Sequence, residues 1–312
     1  MYRGRFAPSP TGDLHLGSTA CALVGWLVAR SSGGAFVLRV EDIDTPRVRK
    51  EIEARQLDDL RWLGLDWDEG PDVGGPHAPY RQSERTRLYD QALDELGRRG
   101  LTYLCDCSRA EIARVASAPH VGDEGPRYPG TCREFGLRDR AWKRQPAIRL
   151  KVPDREIVLE DRWQGRIAEN VSRAVGDFVL RRGDGVYAYQ LAVVVDDLAM
   201  GVTEVVRGAD LLGSAARQAL LSELLGSAPP RYAHHALVVG ADGARLAKRA
   251  SGVSLGDHRR EGASADGLVA SLSEALGLLG EDAPPTSPAA LLSSFDPARL
   301  AGRREARVRS AR

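Results

Sequence analysis

The first forty residues constrain the fold more tightly than any other part of the chain. Arg3 to Ala7 and Ala35 to Val40 are short apolar runs of strand length, and Gly17 to Arg30 between them carries apolar residues at helical spacing. Pro8, Ser9, Pro10, Thr11 and Gly12 break the chain directly after the first run. Strand, break, helix and strand in that order make a βαβ unit, which requires a parallel sheet with a covering helix. Open sheets of this kind bind ligands at the carboxyl ends of their strands, so Pro8 to Ser18 is the candidate nucleotide site. The exposed N–H groups at the helix start favour a phosphate, and Gly17 takes a Cβ out of its path. His15 is placed to donate to that phosphate. Taken alone, a His-x-Gly of this kind is more often a capping loop than a nucleotide site.

The same alternation continues through helical spacing at Val48 to Leu63 and Glu84 to Arg99, separated by a loop rich in Gly and Pro that runs to Pro79. The fold class expected is therefore α/β. From about Leu101 the texture changes to cysteines, prolines and short strand-like runs at Ala147 to Val152 and Ile157 to Glu160, which reads as an insertion over 101–176. Strand signal returns in Asp177 to Arg182, Val186 to Val195 and Val202 to Val206, followed by a helix from Ser214 to Leu225. These pieces are expected to complete the sheet, giving a split catalytic domain over 1–100 and 177–240. Helical stretches Ala263 to Leu279 and Pro288 to Ser294 then form a small subdomain over 241–312. From Phe295 onward six arginines face two acids, read either as a solvated end or as a phosphate-contacting tail.

Composition removes whole classes. With 312 residues, 43% hydrophobic and 28% charged, the chain can bury a substantial core and is neither disordered nor fibrous. A net charge of +1 excludes a histone-like, globally cationic grip on nucleic acid. No apolar stretch approaches the roughly 20 residues needed to span a bilayer, and the N-terminus carries no apolar leader, so cytoplasmic residence and no membrane partner are expected. Three of the four cysteines, Cys105, Cys107 and Cys132, fall in one short segment, which in a reducing compartment points to metal before disulfides. Three thiolates leave a tetrahedral zinc one ligand short, and spacing alone leaves both Tyr128 and His120 open as the fourth.

Arg5-Phe6-Ala7-Pro8-Ser9-Pro10-Thr11-Gly12 with His15-Leu16-Gly17-Ser18 resembles the class I aminoacyl-tRNA synthetases, in particular their glutamyl branch. Arg39 to Asp44, Gln82 to Arg85, Leu191 to Asp197 and Val206 to Leu211 resemble that branch in the same order, so the likeness covers roughly residues 3 to 255. The class's second signature, Lys-Met-Ser-Lys-Ser, is present only as Arg245-Leu246-Ala247-Lys248-Arg249. Arg245 keeps the charge of the first lysine, Ala247 removes a hydroxyl, and Lys248 stays as a compact cation for a triphosphate.

The resemblance implies a Rossmann-type class I catalytic domain with a zinc-containing insertion and a short helical C-terminal subdomain. It implies ATP contacts at His15, Gly17, Ser18 and Lys248, with His15 and Lys248 catalytic, and Mg2+ carried with ATP. For L-glutamate it implies Arg5 and Arg207 toward carboxylate, Glu41 toward the ammonium, and Ala7, Ser9 and Tyr189 around them. Two arginines and one acid suit glutamate over glutamine, since a neutral amide would leave an arginine uncompensated. Among its paralogues, those with a Cys-x-Cys, Tyr-x-x-x-Cys arrangement favour Tyr128 as zinc ligand, one structural zinc in all.

The chain also stops where the glutamyl branch continues into an anticodon-reading domain. That resembles the truncated glutamyl-queuosine tRNA(Asp) synthetases, which esterify glutamate to the queuosine base of the tRNA(Asp) anticodon. The expectation is ATP-dependent, tRNA-independent formation of glutamyl-adenylate, transfer to tRNA(Asp) carrying queuosine, and action as a monomer. Two alternatives stand beside it: a compact glutamyl-tRNA synthetase charging the 3′ end of tRNA(Glu), and a non-catalytic tRNA-binding module.

Overall fold

The computed structural model describes residues 1–115, 127–135, 141–240, 243 and 253–308. Strand β1 (Arg3–Phe6), helix α1 (Leu16–Ser31) and strand β2 (Ala35–Leu38) form the expected βαβ unit, with Arg3 to Phe6 paired in parallel to Ala35 to Leu38. The helix starts at His15 because its ring accepts the Ser18 N–H while Ser18 Oγ accepts the His15 N–H, a reciprocal cap that stabilises by about 1 kcal/mol. Helices α2 (Lys50–Trp62) and α3 (Thr86–Arg98) follow as their spacing predicts.

Strand β3 (Thr102–Cys105) and helix α4 (Arg109–Val115) open the segment read from the sequence as an insertion, and β4 (Ala147–Leu150) pairs antiparallel with β3. Next come the hairpin β5 (Ile157–Asp161) and β6 (Gly165–Glu169), the short helix α5 (Val171–Ala174), and β7 (Val179–Arg181), which pairs antiparallel with β4. After helix α6 (Tyr189–Ala199) come β8 (Glu204–Gly208), α7 (Ala215–Leu224) and β9 (Arg231–His235). Strand β9 pairs in parallel with β8 on one side and β5 on the other, so 101–176 contributes to two sheets. Strand β1 lies against β8, where the Thr203 N–H donates to the Arg3 carbonyl at 2.9 Å. The remainder is β10 (Leu237–Val239), α8 (Leu255–Arg260), α9 (Ala265–Leu276), α10 (Pro288–Leu292) and β11 (Glu305–Arg307).

One sequence reading is corrected and another is extended. Val186 to Val195 was expected as a strand, but Tyr189 to Ala199 is helical, with Leu191 to Asp197 all buried. An apolar run buried on every side shows no period, so helix and strand look alike in it. The arginine-rich end keeps its arginines solvated as far as Val308, as the first of its two readings expected, but it is also a strand. Glu305 to Arg307 pairs in parallel with Leu237 to Val239, burying Ala306 and Val308 while Arg307 faces out.

Apolar side chains form two main cores. One surrounds α1 and takes in β2, α9 and α10, and the other gathers α3, α6 and α7 with β5. A third, small cluster holds Tyr103, Cys105, Ile112, Tyr128 and Cys132. No described helix is long and apolar enough to cross a membrane.

Candidate active site and metal centre

The carboxyl ends of β1 and β8 meet beside the start of α1, and most of the expected residues converge there. Gln56 on α2 donates to the carbonyls of Ser9 and Gly12 at 3.1 and 2.7 Å, and the Leu255 N–H donates to Leu14 at 2.6 Å, so the loop before α1 is held from two helices. His15 Nδ1 accepts the Ser18 N–H at 3.2 Å, which puts the proton of the neutral ring on Nε2. Burial lowers the His15 pKa against the opposing charge of Asp210, so the ring is a neutral donor. A Cβ on Gly17 would stand 3.0 Å from that ring, so Gly17 makes room for its own histidine as well as for a ligand.

Behind the loop lies a buried ion network that motif reading did not anticipate. Arg39, fully buried on β2's extension, donates to Asp197 at 2.6 Å and to Glu41 at 3.2 Å and pairs with Asp196 at 3.7 Å. Asp197 also accepts from Arg5 Nε at 3.1 Å. Asp196 accepts from Arg85 at 2.6 Å, from Gln82 at 2.8 Å and from Tyr89 at 2.9 Å. Burial raises the Asp197 pKa, but Arg5 and Arg39 outweigh it and the carboxyl ends below its ordinary value. At Glu41 burial wins over Arg39 and Arg5, and the pKa is raised. A buried acid left in that condition favours a cationic ligand. The available signal was two adjacent aspartates closing an otherwise apolar run, which a buried helix tolerates only with partners.

A cavity of ≈ 1090 Å³ opens in front of this network. Ser9, Glu41 and Tyr189 line it together with Cys107, Tyr128, Arg149 and Arg182, so one space joins the residues expected at glutamate to the cysteine-bearing segment. Tyr189, at the first turn of α6, lies in the field of Arg207, Glu41 and Arg5, which are themselves almost entirely buried or at the cavity wall. Ala7 follows β1 directly and is partly exposed. Lys248 and its neighbours from Ala244 to Gly252, and His120, lie outside the described residues.

The three cysteines of the insertion do converge: their sulfurs lie within 4.8 Å of one another. Tyr128 Oη is 3.3 Å from Cys105 Sγ and 3.9 Å from Cys107 Sγ, and accepts the Cys132 N–H at 2.9 Å. Cys105 and Cys132 are buried, and none of the three thiols is in a disulfide. Three soft donors and a phenol around one point fit the donor set of a closed tetrahedral zinc site. Arg149 stacks on the Tyr128 ring at 3.8 Å, and a Cβ on Gly176 would collide with the Tyr128 carbonyl, so the ring is covered on one face and its backbone is closely packed.

The family described as tRNA synthetases class I (E and Q), catalytic domain, matches residues 1–282. The chain belongs to this family. It is thus an enzyme of the aminoacyl-tRNA synthetase type. Within the family it is 50% identical over 305 residues to a protein of Symbiobacterium thermophilum named glutamyl-Q tRNA(Asp) synthetase, covering 96% of this chain and 94% of that one. Against glutamate–tRNA ligase 1 of Halorhodospira halophila the identity is 44%, over 95% of this chain and 63% of the relative. The glutamate-tRNA synthetase structure from Elizabethkingia anophelis superposes with a TM-score of 0.83 at 29% identity, over 99% of this chain and 68% of that one. These comparisons carry the class I fold expected from the first signature.

Proposed function

We propose that this chain activates L-glutamate with ATP and transfers it to the queuosine of tRNA(Asp). The observation that carries the first half is the charge arrangement at the cavity end. Among the described residues Arg5 is tethered to Asp197 through Nε alone, so its fork is left for a carboxylate, and Glu41, which Arg39 partly balances, offers a carboxylate to an ammonium. The second half rests on likeness to relatives named glutamyl-Q tRNA(Asp) synthetase, at 48% to 50% identity over 89% to 94% of their length.

In this reading Arg5 and Arg207 take the carboxylates, Glu41 the ammonium, and Ala7, Ser9 and Tyr189 shape the pocket. His15 donates from Nε2 to the α-phosphate beside Gly17 and Ser18, and Lys248 neutralises the departing pyrophosphate. The glutamate α-carboxylate attacks the α-phosphorus, pyrophosphate leaves, and glutamyl-adenylate remains. A hydroxyl of the queuosine cyclopentene-diol then attacks the adenylate carbonyl, AMP leaves with the bonding pair, and the hydroxyl proton passes to solvent. Mg2+ arrives on the ATP phosphates. The work is done in the cytoplasm, where ATP and tRNA are found. No protein nucleophile is needed, and the cavity running from Glu41 to Tyr128 supports an acceptor that enters past the insertion.

The test uses fragments. The enzyme should show glutamate-dependent pyrophosphate exchange without any tRNA. An anticodon stem-loop of tRNA(Asp) carrying queuosine should accept labelled glutamate, and the same loop with guanosine should not. Labelling of intact tRNA(Glu) at its 3′ end, with the queuosine loop left unlabelled, favours a compact glutamyl-tRNA synthetase instead.

Cys105, Cys107, Tyr128 and Cys132 would hold one structural zinc that cross-links β3 to the following loop. Metal analysis of protein purified without added zinc should give about one equivalent, since closed Cys-rich sites bind it tightly. Occupancy should fall in Cys105→Ser, and unchanged occupancy there rejects the site. Zinc retained in Tyr128→Phe but lost in His120→Ala would reassign the fourth ligand alone.

A further inference from the structure

We propose that His234 and Asp161 are positioning residues for glutamate, holding Arg207 in place for as long as the His234 ring is neutral. The inference rests on the assignment of Arg207 to a substrate carboxylate. Register places the three on neighbouring strands: Arg207 on β8 pairs with His234 on β9, and Asp161 on β5 pairs with Tyr232, two residues before His234 on β9. All three are buried.

The direction of each hydrogen bond follows from chemistry. Arg207 Nε lies 2.9 Å from His234 Nε2, and a guanidinium has no acceptor, so the ring nitrogen accepts. That leaves the ring proton on Nδ1, which lies 2.5 Å from Asp161 Oδ2 and donates to it. Asp161 stays ionised because its other oxygen accepts the N–H groups of Trp163 and Gln164 at 3.0 Å and of His234 at 3.2 Å. Asp161 therefore sets the tautomer, and the tautomer decides that His234 receives Arg207 and does not repel it. Arg207 is fixed further by Gln218 Oε1 at 2.7 Å and the Leu211 carbonyl at 3.2 Å. Among the described residues three of its five N–H groups are thus engaged, and two are left for a ligand.

Protonation of His234 would set an N–H against an N–H and drive Arg207 off its seat. The charged and titratable groups facing the ring are Asp161 from β5, Arg207 from β8, Asp210 from the turn after β8, and His235 beside it, with Tyr232 stacked at 6.0 Å. Burial, helped by the charge of Arg207, holds the ring below its ordinary range against Asp161 and Asp210. The neutral form is accordingly the one present near neutrality, and glutamate affinity should fall as acid protonates the ring.

The experiment is pyrophosphate exchange with the full chain, reading KM for glutamate and for ATP separately. His234→Ala should raise the glutamate KM at least tenfold while the ATP KM moves less than twofold. His234→Gln, whose amide oxygen can accept from Arg207, should recover most of that loss and should lack the acid limb that the wild type shows in glutamate KM. Independently of any variant's folding, nitrogen NMR of the wild-type protein should find the His234 proton on Nδ1. If Arg207→Ala leaves the glutamate KM unchanged, the carboxylate assignment itself is wrong. A raised glutamate KM in Arg207→Ala together with a normal one in His234→Ala overturns the positioning role alone. So does an equal rise in both KM values, an acid limb that survives in His234→Gln, or a proton found on Nε2.

Discussion

Arg39→Ala should cost about 3–5 kcal/mol of folding stability, the range expected when one partner of a buried ion network is removed. Its guanidinium is fully buried and serves Asp196, Asp197 and Glu41 at once. Without it, Arg5 and Arg85 remain to balance three buried carboxylates, and the chain must either bury excess negative charge or protonate one of them. The sign of the pH dependence follows. In the wild type the folded Asp197 pKa lies below its ordinary value, so its contribution is present above the unfolded value and is lost as pH falls through the folded one. In the variant that pKa moves up, so the deficit against the wild type should be largest near neutrality and shrink in mild acid. Urea unfolding at both pH values measures it, and a deficit under about 1 kcal/mol at neutrality would show the network to be no more than a surface-type pairing. The glutamate KM should also rise, because Glu41 and Arg5 are both held through this residue or its partner.

Lys248→Ala should slow adenylate formation by about 10²–10³-fold, the usual cost of deleting one group aimed at transition-state charge. Glutamate affinity should hardly change, since the cation is proposed for the triphosphate and acts as charge develops there. The described residues on either side of this segment are anchored near the start of α1. Val239 is fixed by β11 on one side, and on the other Ser254 bridges to His15 while Leu255 donates to Leu14. Single-turnover formation of labelled adenylate measures the rate. Near-normal turnover would mean that Arg245 or Arg249 supplies the cation, which the Arg245-Leu246-Ala247-Lys248-Arg249 substitution pattern makes a specific alternative.

Local chemistry made the βαβ opening, the helix start at His15 and the thiol cluster legible from the sequence. A capping pair three residues apart, a Pro- and Gly-rich break and a Cys-x-Cys each act over a few residues, so spacing alone reports them. The pairing of β11 was also encoded, in the alternation of Glu305, Ala306, Arg307 and Val308 with the apolar members inward.

Only the tertiary structure decided the rest. Helix α6 was hidden because a segment buried on all faces carries no period. Arg5 meets Asp197 across 192 residues and Arg207 meets His234 across 27, and neither separation leaves a mark in local pattern. Burial turns these charged residues into obligatory partners, and which residues become neighbours at the ends of β1, β8 and β9 is set by strand order. The sequence determined the chemistry available at the site, and the packing of the sheet determined which of those groups hold one another in place.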